Sequence, residues 1–328
     1  MQLRTAGKSG DCRYTPGFAM SAPAADFVVK NTSGLATLRG ALPRTGAALR
    51  ELGLIERGAL AARGGRIVWA GPEAELAQAV SVQPGAEQLD AQGGLVLPGF
   101  VDAHTHLAYA GTRDDEIQQR LAGVSYAQIA AQGGGIVRTV AATREASQAE
   151  LAESLLRRLD ELLACGTTSV EIKSGYGLAT EPELRLLRAI RAAAGRHPAT
   201  VVSTFLGAHE VPVEHRAARE RYVELLIEEM LPAVAQERLA TFCDVFCERG
   251  VFTVRESWRI LEAAAKHGLG LRVHADELAW TGGAELAGEI GARSADHLIF
   301  VSEAGMRALG WLDETATLDR IESALRGS

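Results

Sequence analysis

From Leu95 onward, short apolar runs alternate with amphipathic helical stretches at intervals of roughly 30–40 residues. That rhythm commits the chain to a parallel sheet, because parallel strands need a crossover and a helix both makes the crossover and covers a sheet face. Strands are predicted over 95–103, 168–173, 201–206, 242–246, 271–274 and 295–299. Helices are predicted over 148–163, 183–194, 217–229, 254–266, 284–291 and 302–309. Pro182 and Thr253 stand where helices begin, and Gly166, Gly195 and Gly268 where they stop. The fold class expected is α/β, a TIM-like (β/α)8 barrel with six βα units legible.

Upstream the texture differs. Short β-like runs at 27–29, 58–61 and 66–71, separated by Gly and Pro, indicate a small β module over residues 23–94. The barrel is assigned to 95–310, and 311–328 to a divergent tail. Residues 1–22 carry Arg4, Lys8 and Arg13 among Gly and Thr and read as a non-native or disordered extension. Met20 is an alternative start, and an organelle transit peptide is a further reading of the same stretch.

Charge narrows the partners. With 34 Lys+Arg against 41 Asp+Glu the net charge is −7, and without a basic run neither nucleic acid nor an anionic membrane is an expected partner. No apolar stretch is long enough to span a bilayer. Cys12, Cys165, Cys243 and Cys247 are too few and too irregularly spaced for a disulfide framework, so free thiols and a cytoplasmic location are expected. Cys243 and Cys247 lie in an apolar strand-like run with no second thiol pair to complete a zinc knuckle. A small-molecule protein remains.

Five of the eight histidines, His104, His106, His209, His274 and His297, fall near the carboxyl ends of predicted strands, the face on which parallel β/α folds bind ligands. His104 and His106 are one residue apart on extended backbone, so both imidazoles point to one side and suit a divalent metal. His274 supplies a third imidazole, while hydrogen-bonded strand-end histidines without an ion are the plainer alternative. Asp102 is a candidate for outer-shell support. Glu277, three residues beyond His274, can reach a substrate at the metal or stand in solvent, and His297 beside Asp296 reads as an oriented acid/base pair. Arg113 can clamp a carboxylate or lie at the surface among Asp114, Asp115 and Glu116, and Tyr176 in a glycine-flanked loop offers a hydroxyl to the same ligand. Gly133-Gly134-Gly135 marks a loop over the site. Asp276 is read as structural, and His197, His215 and His267 as uninvolved.

The order of these motifs resembles the amidohydrolase superfamily. Val-Asp-Ala-His-Thr-His, Gly-Thr-Arg, Val-Glu-Ile-Lys-Ser-Gly-Tyr-Gly-Leu, Phe-Leu-Gly-Ala-His, Val-His-Ala-Asp-Glu and Ser-Ala-Asp-His-Leu together are similar to the imidazolonepropionase family, from about Asp26 to about Leu309. The resemblance implies hydrolytic opening of 4-imidazolone-5-propanoate to N-formimino-L-glutamate in histidine degradation, with one divalent ion, zinc or iron. It implies metal ligation by His104, His106 and His274, substrate contacts from Arg113, Tyr126, Tyr176, His209 and Glu277, and acid/base roles for Glu277 and His297. Lys173, which in related metal enzymes is carboxylated to bridge two metals, is implied to be unmodified. A substrate with a carboxylate tail and a homodimer are the implied partners.

The family also ends its barrel with an aspartate ligand and an Asn-Pro-Gly-Ser-like loop, and neither follows Leu309 in this sequence. The expectation is therefore a C-terminally shortened chain, two βα units below a closed barrel. Two other readings are a catalytically silent metal or ligand binder, and an amidohydrolase acting on another cyclic amide such as a hydantoin or dihydropyrimidine.

Overall fold

A computed structural model describes residues 22–310 apart from 41–43, 45, 125–127 and 129–133. Tyr126, Gly133, Cys12, the N-terminal extension except residue 22, and the 311–328 tail lie outside the described residues. The chain divides into two compact units between Phe100 and Val101, a few residues beyond the boundary expected at 94/95.

The first unit is all β apart from short helical turns. Strands β1 (Ala24–Lys30), β2 (Gly34–Ala36), β3 (Leu54–Glu56), β4 (Gly58–Arg63), β5 (Arg66–Pro72), β6 (Ser81–Asp90) and β7 (Leu95–Val96) form two sheets, ordered β5-β4-β1-β6 and β3-β2-β7. Ala25, Val28, Ala61 and Val80 make its small core.

The second unit carries the parallel sheet, β8 (Phe100–Asp102), β9 (Thr167–Lys173), β10 (Thr200–Ala208), β11 (Phe242–Cys247), β12 (Gly270–Ala275) and β13 (Ser294–His297), in the order β13-β12-β11-β10-β9-β8. Strands β9 to β13 pair in parallel and follow the chain, as successive βα units require. The strand expected over 95–103 is instead two strands in two sheets: Leu95 and Val96 pair with β2, and β8 joins β9. Pro98 between them has no N–H for a ladder, which explains the break.

The expected helices form near their predicted bounds, and two more, Asp114–Leu121 and Ile136–Glu145, form after β8 where none was expected; Gln148–Ala164 and Val254–Lys266 begin with capping boxes, Ser147 with Glu150 and Thr253 with Glu256. The helix expected over 217–229 runs further, through Arg219–Leu225, a π turn at Leu226–Met230, and Leu231–Glu237. The wide turn immediately precedes Pro232, whose ring and missing N–H an ordinary α turn would not accommodate. No helix among the described residues is long and apolar enough to cross a membrane.

The sheet is curled, and the side chains at its two edges prove it. In a flat sheet β8 and β13 would lie about 24 Å apart, five strand spacings. Yet His104 Nδ1, two residues past β8, is 3.1 Å from Asp296 Oδ2 on β13. The described strands thus form a half-barrel whose concave face gathers what the strand ends carry.

Candidate metal centre and active site

The H-x-H segment leaves β8 with both rings on the concave side, as extended backbone requires. His106 Nε2 lies 3.3 Å from His104 Nε2 and 3.2 Å from His274 Nε2. His297 joins the same group, its ring centroid 5.0 Å from that of His104 and 5.2 Å from that of His274. One ligand atom each from His104, His274 and His297 fall within 4.8 Å of one another. His209 stacks on His106 at 4.9 Å and 28°. All five strand-end histidines therefore meet.

The donor chemistry fits a divalent cation. His274 Nδ1–H donates to Asp244 Oδ1 at 3.0 Å, which leaves the lone pair on Nε2 facing His106. A proton on His106 Nε2 can satisfy only one of the two lone pairs at 3.2 and 3.3 Å, and His106 Nδ1 is buried without a hydrogen-bond partner. A tetrahedral ion with metal–nitrogen bonds near 2.05 Å separates its ligand nitrogens by about 3.3 Å. Burial, followed by the neighbouring His209, His274 and His104, lowers the His106 pKa to about 2, so its imidazole is neutral, the form that ligates. Burial likewise lowers His209 to about 4, with His274 as the next cause.

Two arrangements compete for the ligand set, His104 with His106 and His274, or His104 with His274 and His297. The first is favoured because His297 is committed elsewhere, its Nε2 3.4 Å from Glu277 Oε2. The expected pairing of His297 with Asp296 is not what the structure contains. Adjacent strand residues face opposite ways, and Asp296 turns to His104 while His297, at a φ of 74°, leaves the strand toward Glu277. Asp102 supports the H-x-H segment through its backbone, accepting from the N–H of His104 at 3.4 Å. The carboxylates that face the imidazoles themselves are Asp244 and Asp296.

Buried carboxylates staple the loops that bring the remaining groups. Glu183 accepts from the N–H groups of Gly175, Gly177 and Leu178 at 3.0, 2.6 and 2.9 Å, and so fixes the turn bearing Tyr176. Gly177 is required there because a Cβ would meet Glu183 N at 2.5 Å. Gly175 returns its carbonyl to His209 Nδ1–H at 2.9 Å, so Nε2 of His209 is the nitrogen left for a ligand. Glu248 accepts from the N–H groups of Glu277 and Leu278 at 3.1 and 2.8 Å, and Asp276, fully buried as a structural residue should be, accepts from Thr281 and Ala284.

Arg113 and Tyr176 line one cleft of about 340 Å³, together with Tyr109, Glu116 and Arg120. Tyr176 also reaches the histidines, its ring 5.1 Å from His209 and 6.2 Å from His106. The cleft and the histidine group thus share a wall. Arg113 Nε stands 3.7 Å from Glu116. Arg158 fixes the entry to this loop by donating to the carbonyls of Leu107 and Tyr109 at 2.6 and 2.9 Å.

Lys173 is fully buried, 2.8 Å from Glu171 and 2.9 Å from Asp244. Cys243 and Cys247 are buried free thiols, and Cys165 is an exposed one. His197 lies 3.3 Å from Asp160, and the His215 ring sits tilted against Tyr222 at 5.4 Å, both outside the histidine group. Glu171, Glu183, Asp244, Glu248, Arg158 and Arg272 were not anticipated. The signal available for them was weak: charged residues inside otherwise apolar strand runs.

Residues 95–326 match the amidohydrolase family. The chain is 56% identical to the imidazolonepropionase of Symbiobacterium thermophilum over 89% of its own length and 68% of that protein, and 47% identical to the imidazolonepropionase of Alkaliphilus metalliredigens over 87% and 67%. It spans about two thirds of the length of these curated relatives. Among solved structures it is similar in fold to a 5-methylcytosine deaminase from Klebsiella pneumoniae, with TM-score 0.55 and 19% identity over 80% of this chain and 55% of that one. A zinc-bound adenosine deaminase from Xanthomonas campestris matches with TM-score 0.53 and 16% identity over 89% and 62%.

Proposed function

The chain belongs to the imidazolonepropionase family of the metal-dependent amidohydrolases, and on that premise we propose that it is built for the hydrolytic ring opening of 4-imidazolone-5-propanoate to N-formimino-L-glutamate, a step of histidine degradation. The single observation that carries the site assignment is that His106 Nε2 lies at tetrahedral-edge spacing from both His104 Nε2 and His274 Nε2. A divalent ion held there, zinc or iron, supplies the Lewis acidity that makes water nucleophilic near neutral pH.

The protein's own residues account for binding and proton movement. Arg113 and the Tyr176 hydroxyl take the propionate, since both line one cleft and Tyr176 also borders the histidines. His209 Nε2 and Tyr126 complete the substrate contacts. Water adds across the cyclic amide, so the carbonyl carbon gains oxygen and the ring nitrogen gains a proton. His297 polarises the reacting carbonyl, and Glu277, held against it, carries the proton to the departing nitrogen. Lys173 stays an unmodified ammonium, because both of its carboxylate neighbours are within 3 Å. A cytoplasmic homodimer with no nucleic-acid or membrane partner completes the reading.

The test is His274→Ala, read by metal content and by loss of substrate absorbance. Both metal and turnover should vanish, and retention of both would overturn the assignment. A panel including a hydantoin and a dihydropyrimidine tests the acid-tailed substrate, because neither offers a propionate to Arg113.

A further inference from the structure

Resting on the reading of His104, His106 and His274 as ligands of one ion, we propose that five side chains of alternating charge, four of them buried, couple the orientation of His104 to that of His274. The series runs Asp296, Arg272, Glu171, Lys173, Asp244. At one end Asp296 Oδ2 is 3.1 Å from His104 Nδ1, an ion-pair contact outside hydrogen-bond geometry, and at the other Asp244 Oδ1 is hydrogen-bonded to His274 Nδ1 at 3.0 Å. Between them, Arg272 lies 3.6 Å from Asp296 and 3.9 Å from Glu171, and Lys173 lies 2.8 Å from Glu171 and 2.9 Å from Asp244. No side chain in the series is more than 18% exposed, and Lys173 and Asp244 are fully buried.

The register of the sheet builds the series. Glu171 and Lys173 are two apart on β9, and Arg272 and His274 two apart on β12, so each pair shares a face. Asp244 is paired with Arg272 and His274 with Asp296 across neighbouring strands. The same groups grip the H-x-H backbone: Arg272 donates to the carbonyl of Ala103 at 2.7 Å, and Glu171 accepts from Thr105 N–H at 3.3 Å. A buried charge holds its place only while its neighbours hold theirs. Neutralising the middle therefore frees both ends, and with them the Nδ1–H tautomers that leave each Nε2 available. Glu171, Lys173 and Arg272 are positioning residues in this scheme.

The test compares wild type with Glu171→Gln, using zinc affinity from competition with a chromophoric chelator and imidazole tautomers from ¹H–¹⁵N correlation spectra of the metal-free protein. Wild type should show both His104 and His274 as Nδ1–H tautomers. Glu171→Gln should weaken zinc binding about 10- to 100-fold and disturb both rings. Unchanged rings in folded protein, or a change confined to one ring, would overturn the coupling. Should Glu171→Gln fail to fold, Asp296→Asn serves: it touches only the His104 end, and an unaltered His274 ring would refute the proposal. Arg272→Lys, which keeps the positive charge, should recover most of the affinity that Arg272→Met loses, and equal losses would also count against it. If wild type takes up no zinc, the ligand assignment fails, while the metal-free spectra still judge the coupling.

Discussion

Replacing Lys173 with Met isolates the energetic weight of a buried ion cluster in this fold. Lys173 Nζ sits at 0% side-chain exposure between Glu171 at 2.8 Å and Asp244 at 2.9 Å. At an effective dielectric near 20, each contact is worth about 6 kcal/mol of attraction, roughly 12 kcal/mol gross. Desolvating the ammonium and carboxylates consumes most of it, and breaking such buried pairs by removing one partner costs about 3–5 kcal/mol. Met fills the aliphatic stem, so the loss is electrostatic rather than a cavity. For a unit of this size 1 kcal/mol moves the melting midpoint about 2–4 °C, so the variant should melt roughly 6–20 °C lower. Thermal unfolding by circular dichroism in the presence of chelator keeps metal loss out of the comparison. The exposed i,i+4 pair of Lys266 with Glu262, 3.0 Å apart, provides the control, and Lys266→Met should leave the midpoint where it is. A Lys173→Met protein that is folded and melts within about 2 °C of wild type would refute the reasoning.

Three further outcomes follow from single contacts. Tyr222 is buried and donates to the carbonyl of Gly207 at 2.7 Å, so Tyr222→Phe removes that bond and should lower stability by about 0.5–1.5 kcal/mol, measured by denaturant unfolding. Burial works to raise the Glu256 carboxyl, but bonds from Thr253 and the Arg219 guanidinium outweigh it and hold the group below its ordinary value. Its contribution is therefore present above the unfolded pKa and lost as pH falls through the folded one. Glu256→Gln should lower the midpoint at pH 7 and make little difference in strong acid; an equal deficit at both pH values would exclude the mechanism. Arg113→Met should raise KM for an acid-tailed substrate roughly ten- to hundredfold, the worth of one charge-assisted hydrogen bond, with kcat little changed, and an unaltered KM would remove Arg113 from the site.

The parallel sheet was legible because its signal is local. Apolar strands separated by amphipathic helices leave a repeating trace, and caps such as Thr253 with Glu256 mark a helix start within four residues. Where two local signals conflict, the sequence reading failed. The run 95–103 looks uniformly strand-like, and only the missing N–H of Pro98 divides it between two sheets. The helix expected over 217–229 continues to Glu237 because a π turn ahead of Pro232 absorbs the proline, and such a turn leaves no sequence mark.

The histidines were legible for a different reason than the carboxylates that orient them. A parallel sheet delivers every strand end to one rim, so a histidine at a predicted strand end can be assigned to the site without knowing the register. An outer carboxylate cannot. Asp244 reaches His274 only because β11 and β12 align Phe246 with His274, placing Asp244 two residues back on the same face. Asp296 reaches His104 only because the sheet curls enough to bring its first and last strands into contact. Adjacency in sequence misled here, pairing Asp296 with His297, when alternation along a strand sends neighbours to opposite faces. The histidine positions are thus a property of topology, and their orientation a property of register and curvature, which is why Glu171→Gln, far from any of these histidines in sequence, is expected to act on two of them at once.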